Sequence, residues 1–312
     1  MINQKSFFTS LLFTAILCMG LSACQPAETP PTFPQVADAP LAITPEQPLT
    51  FDMTRAYQHV EAQVALGPRT PSSTAHSQVI EYISSELTST GWQVEKQKGE
   101  YNQQPLINII AKKSDAPPQI ILGAHYDSRF YADQDADPAL SLLPVLGAND
   151  GASGVAVLLE LARVLPEDVA SSVWLVFFDA EDQGRITGWD WIQGSRYFAE
   201  HLSVTPQAVV IVDMVGDQNL RLPFEQNSTA ELAAEIWATA AQAGWNEHFI
   251  SEPGFSILDD HTPFLEKNIP AVDIIDFDYP YWHTSQDTLD KIDPQSLYMV
   301  GETLRLWLIQ RQ

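Results

Sequence analysis

GVAVLLELARVL at 154–165 and SVWLVFF at 172–178 decide the fold class. The first stretch is apolar at helical spacing and nearly all round, the mark of a helix buried on every side. The second is a continuous apolar run bounded by charge, as in a central strand covered on both faces. Reading outward, strands are expected near 91–99, 105–112 (PLINIIAK), 119–125 (QIILGAH), 207–213 (QAVVIVD) and 270–275 (PAVDII). Helical patterns cover 52–65, 73–90, 191–202, 229–243 and 294–311, the first two separated by Gly67-Pro68-Arg69-Thr70-Pro71. Strands alternating with helices predict a three-layer α/β/α domain around a central mixed, mostly parallel sheet. That domain is expected over 51–312, with no internal repeat.

Charge narrows the partners. Lys+Arg number 16 against 40 Asp+Glu, a net charge of −24. Nucleic-acid affinity rests on cations displacing counterions, so no nucleic-acid partner is expected. The first 23 residues read as an export signal: Lys5 precedes an apolar run over 7–21, too short to span a bilayer, which takes about 20 residues. Leu21-Ser22-Ala23-Cys24 resembles a bacterial lipobox, in which Cys24 carries the lipid. The chain would then be exported and lipid-anchored in the bacterial envelope, and Gln25 favours the outer membrane by resemblance to lipoproteins generally. Cys18 and Cys24 are the two cysteines, so the domain has none for a disulfide. Residues 24–50 hold Pro26, Pro30, Pro31, Pro34, Pro40, Pro45 and Pro48 and read as an extended tether.

The chemistry stands at the strand ends. Strand 119–125 ends in His125-Tyr126-Asp127, strand 172–178 leads into Asp179-Ala180-Glu181-Asp182, strand 207–213 ends in Asp213, and Asp150 precedes the buried helix. In an open α/β sheet, ligands bind at the carboxyl ends of strands, so these side chains converge, joined by His283 after the last strand. Imidazole with hard carboxylates is a donor set suited to Zn²⁺ with an open position for water or substrate. Asp127 is placed to orient His125 through its second ring nitrogen. A single strand-end Asp is more often a cap or turn residue; five in one register are not.

GAHYDSR (123–129), GANDGASG (147–154), FFDAEDQG (177–184), DMVGD (213–217), DDHTPFL (259–265) and YWHTSQDTLDKID (281–293) together resemble the zinc aminopeptidase family and its close relatives, the animal-type glutaminyl-peptide cyclotransferases. The resemblance runs from about residue 65 to the C-terminus, including LGPRTP at 66–71. It implies Asp150, Asp182 and His283 as metal ligands and Glu181 as catalytic acid/base. In the di-zinc aminopeptidases, His125 and Asp213 complete a second site with Asp150 bridging. The cyclotransferases keep His and Asp there but hold one zinc, leaving Asp213 a catalytic role. Both groups usually show Glu-Glu where this chain has Glu181-Asp182.

Two features favour cyclisation of N-terminal glutamine. Trp282 precedes His283, as in the cyclotransferases, where the indole walls the glutamine pocket, and the segment Trp189-Asp190-Trp191 offers further wall, Trp189 first. Asp259 opens a string in which the relatives' first Asp bonds the catalytic Glu. Against this, Asp273 stands where an active-site His of the animal enzymes aligns, and three carboxylates are offset better by two zinc ions than by one. The resemblance therefore leaves open a cyclotransferase with one zinc or an aminopeptidase with two. A non-enzymatic scaffold is disfavoured, since Glu181 and every metal ligand are present. Either enzyme would act on peptides or proteins with a free N-terminus, as a monomer touching membrane only through its lipid.

Overall fold

Asp52 starts the first helix by accepting the amides of Thr54 and Arg55, and α1 runs Met53–Ala65. The structure is a computed structural model that describes residues 49–311. The export signal, Cys24 and the tether up to residue 48 lie outside the described residues. Ser73 caps α2 (Thr74–Ser89) at the His76 amide. β1 (Gln93–Tyr101) and β2 (Gln104–Lys112) form a hairpin closed by Asn102 and Gln103, both left-handed at φ 49° and 68°.

The remaining elements alternate as expected: β3 (Ile120–His125), α3 (Ala152–Val164), α4 (Glu167–Ala170), β4 (Val173–Phe178), α5 (Gln193–His201), β5 (Ala208–Asp213), β6 (Leu222–Phe224), α6 (Ala230–Gln242), β7 (Phe249–Pro253), α7 (Thr262–Glu266), β8 (Ala271–Ile275) and α8 (Pro294–Gln310). The main sheet has the order β1-β2-β4-β3-β5-β8. β4, β3, β5 and β8 run parallel, while β2 pairs antiparallel with β4 and β1 with β2. The sheet is mixed and mostly parallel, and four carboxyl strand ends share one edge.

Side chains alternate between the faces. Leu122, Ala124, Leu175, Phe177, Val210 and Val212 join a core with Val60 of α1, Val155 and Leu159 of α3 and Leu304 of α8. Ile121, Val176, Phe178, Val209 and Ile211 face the other way, against Phe198 of α5 and Phe264 of α7. α3 is buried along nearly its whole length, so the mostly apolar 154–165 has no face to give to water.

The small parallel sheet of β6 and β7 and the short helices α4 and α7 are additions to the sequence reading. β6 has three residues around Pro223 and β7 ends in Pro253, with a register shift between Pro223 and Phe224. Such short, proline-marked strands have no period to detect. Among the described residues, no helix is long and apolar enough to cross a membrane.

Candidate active site

The shared strand edge gathers the predicted residues. His125 ends β3, Asp213 ends β5, and Glu181 and Asp182 follow β4. The turns after β4 and β5 and the loop that carries His283 are strained. Ala180, Met214 and His283 have φ of 50°, 47° and 54°, and such left-handed non-glycine residues cost about 1–3 kcal/mol each and concentrate at functional sites. Gly151, at φ 81°, turns the chain after Asp150. A Cβ there would come within 2.8 Å of His125 Cε1, so glycine permits both the turn and the close approach.

Two buried donor triads share Asp150. In one, His125 Nε2 lies 3.1 Å from Asp150 Oδ1 and 3.1 Å from Asp213 Oδ1, to which it is hydrogen-bonded. In the other, His283 Nε2 lies 2.7 Å from Asp182 Oδ1 and 3.6 Å from Asp150 Oδ2. Asp150 Oδ2 and His283 Nε2 are buried without a hydrogen-bond partner. Buried polar atoms that converge without bonding are what a cation satisfies, so Asp150, Asp182 and His283 fit a metal ion of the zinc type.

The supporting residues hold these ligands by their backbones and far nitrogens. Asp127 lies 3.4 Å from His125 Nδ1, in the orienting position expected, and it does more. Its carboxylate accepts the amides of Glu181 at 3.0 Å and Asp182 at 3.3 Å and the Gln183 side chain at 2.8 Å. One buried acid therefore positions both the histidine of β3 and the acidic turn after β4.

Two further supports escaped the sequence reading. Asp133 stands 3.5 Å from His283 Nδ1 while accepting Arg129 at 2.6 Å, and Arg129 also donates to the carbonyls of Asp182 and Gly184. Asp287 accepts the amides of Asn149 at 2.8 Å and Asp150 at 3.1 Å and the Tyr279 hydroxyl at 2.8 Å. Both are loop acids in acidic surroundings and carry no spacing signal. Asp287 lies within YWHTSQDTLDKID (281–293), where nothing in the pattern distinguishes it from its acidic neighbours.

The electrostatics match a site waiting for positive charge. Burial disfavours a charged His283, yet Asp182, Asp133 and Asp150 outweigh it and hold the ring at about 9. Burial and then Asp150 push Asp182 up to about 6. Glu181 is raised well above an ordinary glutamate, by burial first and then by Asp259, itself lifted to about 7 by burial and Asp213. A carboxyl raised in this way is a stronger base than an ordinary glutamate, which suits a group that takes up and returns a proton.

Asp259 acts on Glu181 through charge rather than contact. Among the described residues no hydrogen bond joins them, and Asp259 accepts the Asp260 amide instead. Asp273, in place of the relatives' histidine, is buried with its Oδ2 3.7 Å from His261 Nδ1, and His261 Nε2 lies 3.2 Å from Glu225. The histidine of this layer thus comes from the DDH string.

The triads open into a cavity of about 220 Å³ lined by Glu181, Asp213, Ile257, Ile275, Phe277, Trp191 and Trp282 among others. Trp282 lies flat on His283, ring centroids 3.7 Å apart at 25°, and Trp191 stacks on the same imidazole at 5.9 Å and 17°. Trp189, named as pocket wall, is not among the lining residues: its ring packs 6.0 Å from Tyr101 and 5.9 Å from Phe130. The intervening turn points the two indoles of Trp189-Asp190-Trp191 in different directions, and Trp191 takes the role.

Comparison with known proteins agrees with this geometry. The profile described as peptidase family M28 matches residues 107–308. The glutaminyl-peptide cyclotransferase of Drosophila melanogaster is 29% identical over 282 residues, covering 78% of this chain and 77% of the fly protein. Among solved structures, Porphyromonas gingivalis glutaminyl cyclase superposes with a TM-score of 0.79 at 33% identity, covering 84% of this chain and 99% of the other. A Zn-dependent exopeptidase from Parabacteroides distasonis gives 0.76 at 33% identity, covering 82% and 97%. With its strand-end ligands, its shared aspartate and a family match over most of the folded domain, the chain belongs to peptidase family M28.

Proposed function

We propose that the chain is a zinc-dependent glutaminyl-peptide cyclotransferase, converting N-terminal glutamine to pyroglutamate with release of ammonia. One observation carries the choice over a two-zinc aminopeptidase. Of the two triads that share Asp150, the Asp150–Asp182–His283 one leaves Asp150 Oδ2 unbonded and draws His283 Nε2 to 2.7 Å from Asp182 without hydrogen-bond geometry, whereas His125 Nε2 and Asp213 form a hydrogen bond. This supports a single ion held by Asp150, Asp182 and His283, with Asp213, bonded to His125, lining the cavity beside it. The stack of Trp282 on His283 adds an apolar wall beside the metal position, where a glutamine side chain is shielded from water.

Bound zinc supplies Lewis-acid polarisation of the side-chain carbonyl. The chain's residues do the rest. Asp213, a buried carboxyl lining the cavity, accepts the substrate's α-amino group and aims it at the amide carbon. Glu181 accepts a proton from that nitrogen as the new C–N bond closes the five-membered ring. The bond from the same carbon to the side-chain nitrogen then breaks, and Glu181 returns the proton so that ammonia leaves. Trp282 and Trp191 keep water from competing with the amine. The aminopeptidase alternative rests on Asp150, whose two oxygens face the two triads as a bridging ligand would.

Turnover of a fluorogenic N-terminal glutamine substrate beside a leucine amide, with elemental analysis of the same protein, tests the proposal. Cyclisation with one zinc per chain is expected; leucine-amide hydrolysis with two tightly held ions would overturn it. Export and lipid anchoring at Cys24 are part of the same reading, supported by Lys5, the apolar run and Leu21-Ser22-Ala23-Cys24. Cys24→Ser should release the protein from the membrane fraction. Peptides with free N-termini are the proposed substrates and the monomer the proposed state, the latter checked by light scattering.

A further inference from the structure

Among the described residues, Arg185 is the one arginine or lysine lining the active-site cavity, whose charged lining residues otherwise include Asp150, Glu181, Asp182, Asp213 and Asp259 beside His283. It is exposed, and among the described residues it has no ion-pair partner. In a chain of net charge −24, an unpaired arginine at the mouth of an acidic cavity is the exception. Its placement is built rather than incidental. Arg185 holds a left-handed backbone at φ 62°. The residue before it is anchored on both sides: the Gly184 carbonyl accepts Arg129 at 3.1 Å, and Trp191 packs so closely that a Cβ on Gly184 would fall 2.0 Å from its ring.

Arg185 also lines a second depression, walled by Tyr131, Asp133, Ser141, Leu142, Ile186 and Thr187, in which the one acid, Asp133, is already paired with Arg129. Tyr131 and Leu142 are 44% and 73% exposed and offer apolar surface along the depression. A peptide whose N-terminal residue fills the cavity must leave through its mouth, and this groove is a path for the following residues.

We propose that Arg185 and the groove beyond it form a subsite for the second and third residues of the peptide substrate, and that Arg185 selects a carboxylate there. The inference rests on the proposed peptide chemistry of the site. The acidic cavity attracts the α-amino group, while Arg185 attracts negative charge a short distance downstream, so the pair reads a peptide that is cationic at its end and acidic just after it. The carboxylate can be an Asp or Glu side chain, or the C-terminus of a very short peptide.

The test is a steady-state series on the zinc-loaded protein with Gln-X-Ala amides in which X is Glu, Gln or Lys, beside Gln-Ala as free acid and as amide. Wild type should favour X = Glu over X = Gln by about two- to fivefold, the scale of an exposed ion pair, expressed in KM more than in kcat. The Gln-Ala pair separates a C-terminal carboxylate from a side-chain one. Arg185→Gln should erase the preference and Arg185→Glu should invert it towards X = Lys, with zinc content unchanged. Raising the salt should shrink the wild-type preference. Equal KM for Glu and Gln peptides in wild type, or a preference that survives Arg185→Gln, would overturn the subsite. If no glutamine peptide cyclises while leucine peptides are cleaved, the cyclotransferase reading fails alone, and the same X series on leucine peptides still decides on Arg185.

Discussion

The Trp282 indole lies flat on the His283 imidazole, ring centroids 3.7 Å apart at 25°. A ring that offers a nitrogen to the proposed metal and seats an indole on its face would couple the metal position to the shape of the proposed substrate pocket. Trp282 is in turn backed by Phe277 at 5.2 Å.

Trp282→Ala should therefore leave zinc in place, because Asp150, Asp182 and His283 do not bond the indole, while misplacing the glutamine side chain. A fall in kcat/KM of about 10²-fold is expected, the scale of a small misplacement of reacting groups. Admitted water should also produce slow formation of N-terminal glutamate, visible by mass spectrometry. Wild-type cyclisation by a folded, zinc-loaded mutant would reduce Trp282 to packing.

Glu181→Gln keeps the shape and loses the basic oxygen. Turnover should drop by about 10²–10⁴-fold with zinc still bound. Elemental analysis beside single-turnover measurements checks both halves, and a loss below tenfold would remove Glu181 from the proton transfer.

Asp287 touches no ligand donor atom, yet it accepts the amides of Asn149 and Asp150. Burial and then Asp150 hold its carboxyl up at about 7, so Tyr279 and the two amides stabilise a charge the site resists. Asp287→Asn turns one acceptor into a donor against those amides. Zinc affinity should weaken by about 10–100-fold, as for other groups that orient a metal ligand, in a chelator competition that a merely distant substitution would leave unmoved.

Metal affinity should fall as pH falls, with the slope set by the ligands. Without metal, His283 titrates at about 9 and Asp182 at about 6. Zinc requires both deprotonated, so binding between these values displaces about one proton, and below 6 about two. Chelator competition should show affinity rising roughly tenfold per pH unit from 7 to 9, more steeply below 6, and flattening above 9. A flat profile from 7 to 9 would show that His283 is not a ligand.

The sheet and most of the ligand set were legible in one dimension because both rest on local signals. A strand buried on both faces must be apolar throughout, so Val173–Phe178 announces itself, and the first polar residue after such a run marks its carboxyl end. That is why His125, Asp213 and the turn holding Glu181 and Asp182 are legible, while Asp150 is marked by the buried helix it precedes, and the two tryptophans at 189 and 191 do not separate. Tertiary structure alone decided which indole faces the cavity, since a turn's direction depends on what it packs against: Gly184 under Trp191, Tyr101 and Phe130 beside Trp189. It alone brought Asp133 to His283, Asp287 to the Asp150 amide and Arg185 to the cavity mouth, because loop residues carry no periodicity and their partners lie far along the chain. Composition and pattern thus settled which residues meet at the strand ends. Whether side chains bond each other, as His125 and Asp213 do, or converge unbonded in a way that fits a cation, as Asp150 Oδ2 and His283 Nε2 do, is a matter of ångströms that only the packed chain can set.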